Sequence, residues 1–170
     1  MLDEAADRYE RPDFLDADPL GIPHRFSDPK DIAIAGFLAA TLAWGNRKSI
    51  IRSCDNLLDR MDGTPAEFIQ SATPRDLKVM DGFVHRTFQS EDAKRFVRCL
   101  QSLERDGGLQ GAFTSAFAVA PDTEQCPGVP DLGWALSRFK IRFFADEAPD
   151  RTVKHVADPA KGSAAKRLCM

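Results

Sequence analysis

Apolar residues recur at helical spacing along most of this chain. Between residues 29 and 44, Ile32, Ile34, Phe37, Leu38 and Leu42 stand among five alanines, so the segment is apolar on nearly every side. That pattern predicts a buried central helix. Gly45 and Asn46 follow, two residues that tolerate the left-handed backbone of a helix stop. A second helix is expected to run to about Met61, where Ile50, Ile51, Cys54, Leu57, Leu58 and Met61 form a one-faced stripe. A helix starting at Ser90 carries Phe96, Val97, Leu100 and Leu103 and stops at Asp106-Gly107-Gly108. Two more are marked by Leu109, Ala112, Phe113, Ala116 and Phe117, then by Leu132, Ala135, Leu136, Phe139 and Phe143. No stretch alternates long enough to read as a strand, and there is neither an internal repeat nor a low-complexity segment.

Helix starts are spelled out three times. Asp28-Pro29-Lys30-Asp31, Thr64-Pro65-Ala66-Glu67 and Thr73-Pro74-Arg75-Asp76 each offer a capping side chain, proline at the first helical position and an acid two residues later. A cap satisfies an orphan N–H, and proline lacks the N–H that would be orphaned there. Short helices are therefore expected after Thr64 and Thr73. Residues 148–162 read as an extended basic loop, and Ser163 as the cap of a last short helix beginning at Ala164. The proline-rich segment 121–130 is the candidate internal linker. The expected fold is all-α, an irregular multi-helix domain of about seven or eight helices over residues 1–170. Its expected core includes Phe37, Leu38, Leu42, Ile51, Leu58, Phe96, Leu100, Phe113, Phe117, Leu136 and Phe139.

Composition supports this class. The 170 residues are 43% hydrophobic and 29% charged, a mixture foreign to disordered, collagen-like or disulfide-scaffold chains. Alanine and leucine together number 36 against 14 for valine and isoleucine, which favours helix over strand. No apolar run reaches the ~18 residues of a membrane span, and the acidic N-terminus lacks a signal-peptide pattern, so the expected compartment is the cytoplasm. Cys54, Cys99, Cys126 and Cys169 show no metal-site spacing; no disulfide, metal or cofactor is expected. The net charge of −3 hides an asymmetry, since residues 1–31 sum to −5 and residues 151–170 to +4. The basic tail reads either as a solvated face or as a phosphate-binding patch.

Candidate chemistry concentrates in a few polar clusters. His85 lies in Phe83-Val84-His85-Arg86-Thr87-Phe88, and His155 in Arg151-Thr152-Val153-Lys154-His155. Arginine forks and threonine hydroxyls suit phosphate oxygens; the same residues also satisfy buried carbonyls and helix C-termini. His24, next to Pro23 in a turn-like stretch, reads as structural. Gly162-Ser163 with Lys166 and Arg167 sets backbone N–H groups and two cations at a helix start, where an anion can be held. Nucleotide-binding glycine loops, the zinc-protease helix motif and the nucleophile elbow are all absent. His85 is followed by Arg, not Asp, so a metal-dependent phosphohydrolase pattern is unsupported.

Several stretches together resemble an uncharacterised bacterial family, domain of unknown function 2400. They are Asp18-Pro19-Leu20 with Ile22-Pro23-His24 and Phe26, Asp31-Ile32 through Ala35–Ala40, Ala43-Trp44-Gly45-Asn46-Arg47, Phe83–Phe88, Arg151–His155, and Asp158-Pro159 running into Gly162–Arg167. The resemblance covers nearly the whole chain in order. It implies a longer protein whose C-terminal half packs against this one, as does a last helix that ends within two turns of its start. Residues 29–67 are also similar in layout to the opening helices of helix-hairpin-helix DNA glycosylases, with Gly45-Asn46-Arg47 as the polar turn near the substrate base. Glutamine-rich turns are usual there, and this chain has none. That likeness implies DNA as partner, with Asn46 and Arg47 facing it and His85, Arg86, Lys154, His155, Lys166 and Arg167 on phosphates. It identifies no catalytic residue, and the isolated chain is expected to be inactive. The alternatives are a non-catalytic helical module that binds protein or RNA, and an enzyme acting on a small phosphorylated molecule.

Overall fold

A computed structural model describes residues 12–122, 131–145 and 149–169 of the chain. Among them are seven α-helices: α1 (Pro29–Leu42), α2 (Arg47–Asp59), α3 (Pro65–Ser71), α4 (Ser90–Leu103), α5 (Gly108–Ala118), α6 (Leu132–Phe143) and α7 (Asp150–Val153). Short 3-10 turns link several of them. One two-stranded antiparallel hairpin, β1 (Val84–His85) and β2 (Phe88–Gln89), pairs His85 with Phe88. The protein is an all-α, multi-helix domain, and none of its described helices is long and apolar enough to cross a membrane.

The apolar character of α1 places it at the centre. Ile34, Ala35, Phe37, Leu38, Ala39 and Leu42 are buried on it. It packs against α2, α3, α5 and the 3-10 turns at Pro23–Arg25 and Lys166–Leu168. Asp28 caps it as the sequence predicts, accepting from the N–H groups of Lys30 and Asp31 at 2.8 and 3.2 Å. The start of α3 is managed differently. The Thr64 side chain makes no capping bond. Instead Asp31 on α1 accepts from the Ala66 N–H at 2.8 Å, so the acid that closes the first turn of one helix also caps another.

Other expected starts are corrected in kind. The Thr73 N–H and hydroxyl both donate to Asp76, and a single 3-10 turn, Asp76–Met80, follows instead of an α-helix. The cap of α4 is Gln89 rather than Ser90; the Ser90 hydroxyl turns back to the Phe83 carbonyl. Within the expected loop 148–162 the chain forms α7 and a 3-10 turn, Pro159–Lys161, capped by Asp158. Ser163 does accept from the Ala165 N–H, but Ala165 is buried at φ 47°, which turns the chain out of α geometry. Only a 3-10 turn, Lys166–Leu168, follows.

Phenylalanine rings join the elements. Phe96 of α4 meets Phe37 of α1, Phe88 of the hairpin and Phe143 of α6 at centroid distances of 6.0, 5.1 and 5.1 Å. Phe113 of α5 stacks on Phe139 of α6 at 3.9 Å. Of the expected core, Phe37, Leu38, Leu42, Leu58, Phe96, Leu100, Leu136 and Phe139 are buried, while Ile51, Phe113 and Phe117 are partly buried at its margin. Cys54 and Cys99 are buried free thiols, and burial pushes the Cys54 thiol up to about 12. Helices α5 and α6 lie against each other. Between them, the Asp131 N–H donates to the Pro121 carbonyl at 2.8 Å. Residues 123–130 of the candidate linker, Cys126 included, lie outside the described residues, as do residues 1–11 of the acidic head.

Aromatic truncations in fully packed cores cost about 3–5 kcal/mol. Phe96→Ala is expected to lose that much in urea unfolding, and Phe117→Ala clearly less. Equal losses would show that the ring cluster does not organise the core.

Candidate functional site

The hairpin gathers the polar clusters that are far apart in sequence. His85 sits on β1, is only 3% exposed, and places Nδ1 2.8 Å from the Ser53 hydroxyl on α2. Its ring stands edge-on to Trp44, 5.8 Å away, just past the end of α1. Burial lowers the His85 pKa; the nearby carbonyls of Trp44 and Leu42 oppose that shift, and the Arg86 charge adds to it. Nε2 is buried and makes no hydrogen bond of its own.

Arg86 occupies the hairpin turn at φ 54°, a left-handed conformation uncommon for a residue with a side chain. Its guanidinium lies over Trp44, 5.4 Å from the ring centroid. The same group covers Gly45, whose φ is +112°. A β-carbon there would come within 2.4–2.6 Å of the guanidinium, so only glycine admits this approach. The turn Trp44-Gly45 and the turn at Arg86 therefore fit each other.

Beyond β2 stands Asp92, fully buried near the start of α4. Its Oδ2 accepts from the Gln89 N–H at 2.9 Å and from Arg151 Nη2 at 2.6 Å; its Oδ1 accepts from the Thr152 hydroxyl at 2.6 Å. Arg151 also donates to the Thr87 carbonyl and the Gln89 side chain. His155 is buried with Nε2 3.7 Å from Asp92, its ring 5.0 Å from that of Phe88. Its pKa is lowered by burial first; Asp92 opposes this, and Lys154, Arg151 and Arg167 reinforce it. Arg167 is half-buried and donates to the Thr41 carbonyl at 3.4 Å, near the C-terminal end of α1.

The remaining predicted residues are spread around this centre. Asn46 caps α2, accepting from Lys48 and Ser49 N–H groups at 3.0 and 3.4 Å. Arg47 pairs with Asp18 at 3.4 Å and lies over Phe14. Lys154 and Lys166 are exposed. The structure thus brings His85 and Arg86 to the end of α1, with His85 against the middle of α2, and turns His155 and Arg167 inward, toward Asp92 and α1.

Sequence reading passed over two features. One is Asp92, signalled only by its place three residues after the Gln89 cap. The other is the polar face of α2, where Ser49, Arg52, Ser53 and Asn56 recur at helical spacing opposite the apolar stripe. With Phe83–Arg86 they line an open cleft of 270 Å³. Among the described residues no carboxylate lines it. Arg52 and Arg86 are both exposed, and neither has an ion-pair partner among the described residues. No group of metal-ligating residues occurs among the described residues either.

This is an all-α domain with a cation-lined polar cleft built at one end of its central helix. Over residues 18–170 the chain matches the family described as "Protein of unknown function (DUF2400)", and it belongs to that family. No curated protein and no solved structure matches it.

Two outcomes are expected at the histidines. Because both rings are held below the ordinary value near 6.5, the unfolded chain takes up protons first as pH falls. The thermal midpoint should therefore drop as pH is lowered through about 6.5 and level off below the folded values. A midpoint unchanged between pH 7.5 and 5.5 would contradict this. Arg151→Ala removes a cation that opposes His155 protonation, so the His155 pKa should rise; an unmoved titration by NMR would show that Arg151 does not set it.

Proposed function

We propose that this chain is a DNA-binding domain that grips backbone phosphates and is related to base-excision DNA glycosylases. The observation that carries the reading is the cleft beside the hairpin. Arg52 and Arg86 have no acidic partner among the described residues, so their donors are free for an external anion, and guanidinium forks match phosphate oxygens. Phosphate contacts supply affinity and position without reading sequence. Lys154 and Lys166 are exposed as well and offer the same chemistry elsewhere on the surface.

The glycosylase relationship is supported by layout. An apolar helix (α1), a short polar turn (Gly45-Asn46-Arg47), an amphipathic helix (α2) and a helix opening on Thr64-Pro65-Ala66 follow in the order of the opening helices of that class. No described residue is assigned to chemistry at a sugar or base, so the activity proposed for these 170 residues is binding.

Fluorescence-anisotropy titration against duplex DNA, intact and with one abasic-like site, over a salt series tests the reading. Binding should weaken steeply with salt. Arg52→Ala and Arg86→Ala should each lower the affinity and reduce the log–log salt slope by about one, as for the loss of one phosphate contact. Tighter binding to the abasic duplex favours the glycosylase relationship. Absence of binding at low salt, with the chain shown to be folded by a cooperative melt, overturns the proposal.

A further inference from the structure

We propose that the cleft between α2 and the hairpin is a site for a phosphate monoester, the terminal phosphate of a nucleic-acid strand or of a mononucleotide. The DNA reading bears on this only as the source of that phosphate. The cleft's own chemistry supplies the argument.

Charge comes first. A phosphate monoester carries about −1.5 to −2 at pH 7 and presents three terminal oxygens, whereas an internal phosphodiester carries a single charge on two. The cleft offers two guanidinium groups, Arg52 and Arg86, and the hydroxyl and amide groups of Ser49, Ser53 and Asn56. Two cations without an ion-pair partner among the described residues match a dianion. Burial lowers the His85 pKa, so its ring adds little to that charge. The ring holds Ser53 by the 2.8 Å contact between Nδ1 and the hydroxyl.

Shape comes second. A recess of 270 Å³ between a helix and a hairpin suits a group that projects, as a strand end or a free nucleotide does.

Preorganisation comes third. Arg86 holds a left-handed backbone position that glycine would occupy without steric cost. A long charged side chain at such a position is explained by what its head group does. Stacking over Trp44 and seating against Gly45 hold that head group at the cleft before any ligand arrives. Arg52, Ser53 and Asn56 stand on a rigid helix, with Cys54 and Leu57 of the same helix locked in the core. Non-glycine residues in sparsely populated backbone regions gather at ligand clamps.

The test compares two oligonucleotides that differ only in a 5′-phosphate or a 5′-hydroxyl, each labelled at its 3′ end, in anisotropy titrations with the whole chain. Adenosine monophosphate and inorganic phosphate are added in parallel thermal melts. Preference for the phosphorylated strand by about tenfold, abolished in Arg52→Ala and in Arg86→Ala, is the expected result. Ser53→Ala should reduce the preference without abolishing it. If both oligonucleotides bind equally and the nucleotide leaves the melt unchanged, the monoester site is overturned while the DNA reading stands. If neither oligonucleotide binds but adenosine monophosphate raises the melting temperature in the wild type and not in Arg52→Ala, the monoester site stands and the DNA reading falls. No response to any of these ligands overturns both.

Discussion

A carboxylate removed from water must find its donors inside the protein, and Asp92 imposes that demand on half the chain. Taking such an ion out of solvent costs several kcal/mol unless charge and hydrogen bonds compensate it. Here the compensation comes from a backbone N–H three residues upstream and from Arg151 and Thr152 in a segment some sixty residues downstream. The C-terminal segment is thereby pinned to the start of α4. Arg151, once anchored, reaches the Thr87 carbonyl in the hairpin, and His155 seats against Phe88. The hairpin is held at β2 by this network and at β1 by the contact of His85 with Ser53. Its turn, and with it Arg86, has little freedom to wander.

The end of α1 is the second organising element. Carbonyls at a helix C-terminus carry partial negative charge, and cations near them are stabilised. Arg167 takes the Thr41 carbonyl, while Arg86 folds over Trp44 and Gly45 just beyond. Several cationic side chains of the polar clusters are thus engaged within the fold: Arg151 with Asp92, Arg167 with α1, Arg47 with Asp18. Arg52 and Arg86 keep donors facing outward. What sets the cleft apart is that two such cations stand there together with the neutral donors of Ser49, Ser53 and Asn56.

Much of this fold was legible in the sequence because its long helices obey one rule. The apolar face of α2 and the all-round apolar α1 followed directly from helical periodicity. Where local signals were ambiguous, tertiary partners decided. Thr64 looked like a cap, yet the Asp31 carboxylate, brought alongside by packing, caps α3 in its place. Ser90 looked like a cap, yet Gln89 and Asp92 close the start of α4 between them. The hairpin could not be read at all, since two-residue strands leave no alternation to detect. At the site, the polar clusters around His85 and His155 stood out by composition, but their different fates did not. Whether a histidine faces an acid or a serine is settled by residues thirty to sixty positions away. Arg52 and Ser53 escaped notice because the polar face of an amphipathic helix has the same pattern whether it meets water or a ligand.

The hydrogen bond from the Asp131 N–H to the Pro121 carbonyl closes the ends of the segment between α5 and α6 onto each other. Lengthening a closed segment costs only about 0.6 kcal/mol per doubling of its length, since the closure entropy grows logarithmically. The helices that flank it are joined by the Phe113–Phe139 stack as well. A change of length between the two helices thus carries a small entropic cost against the contacts that hold them together.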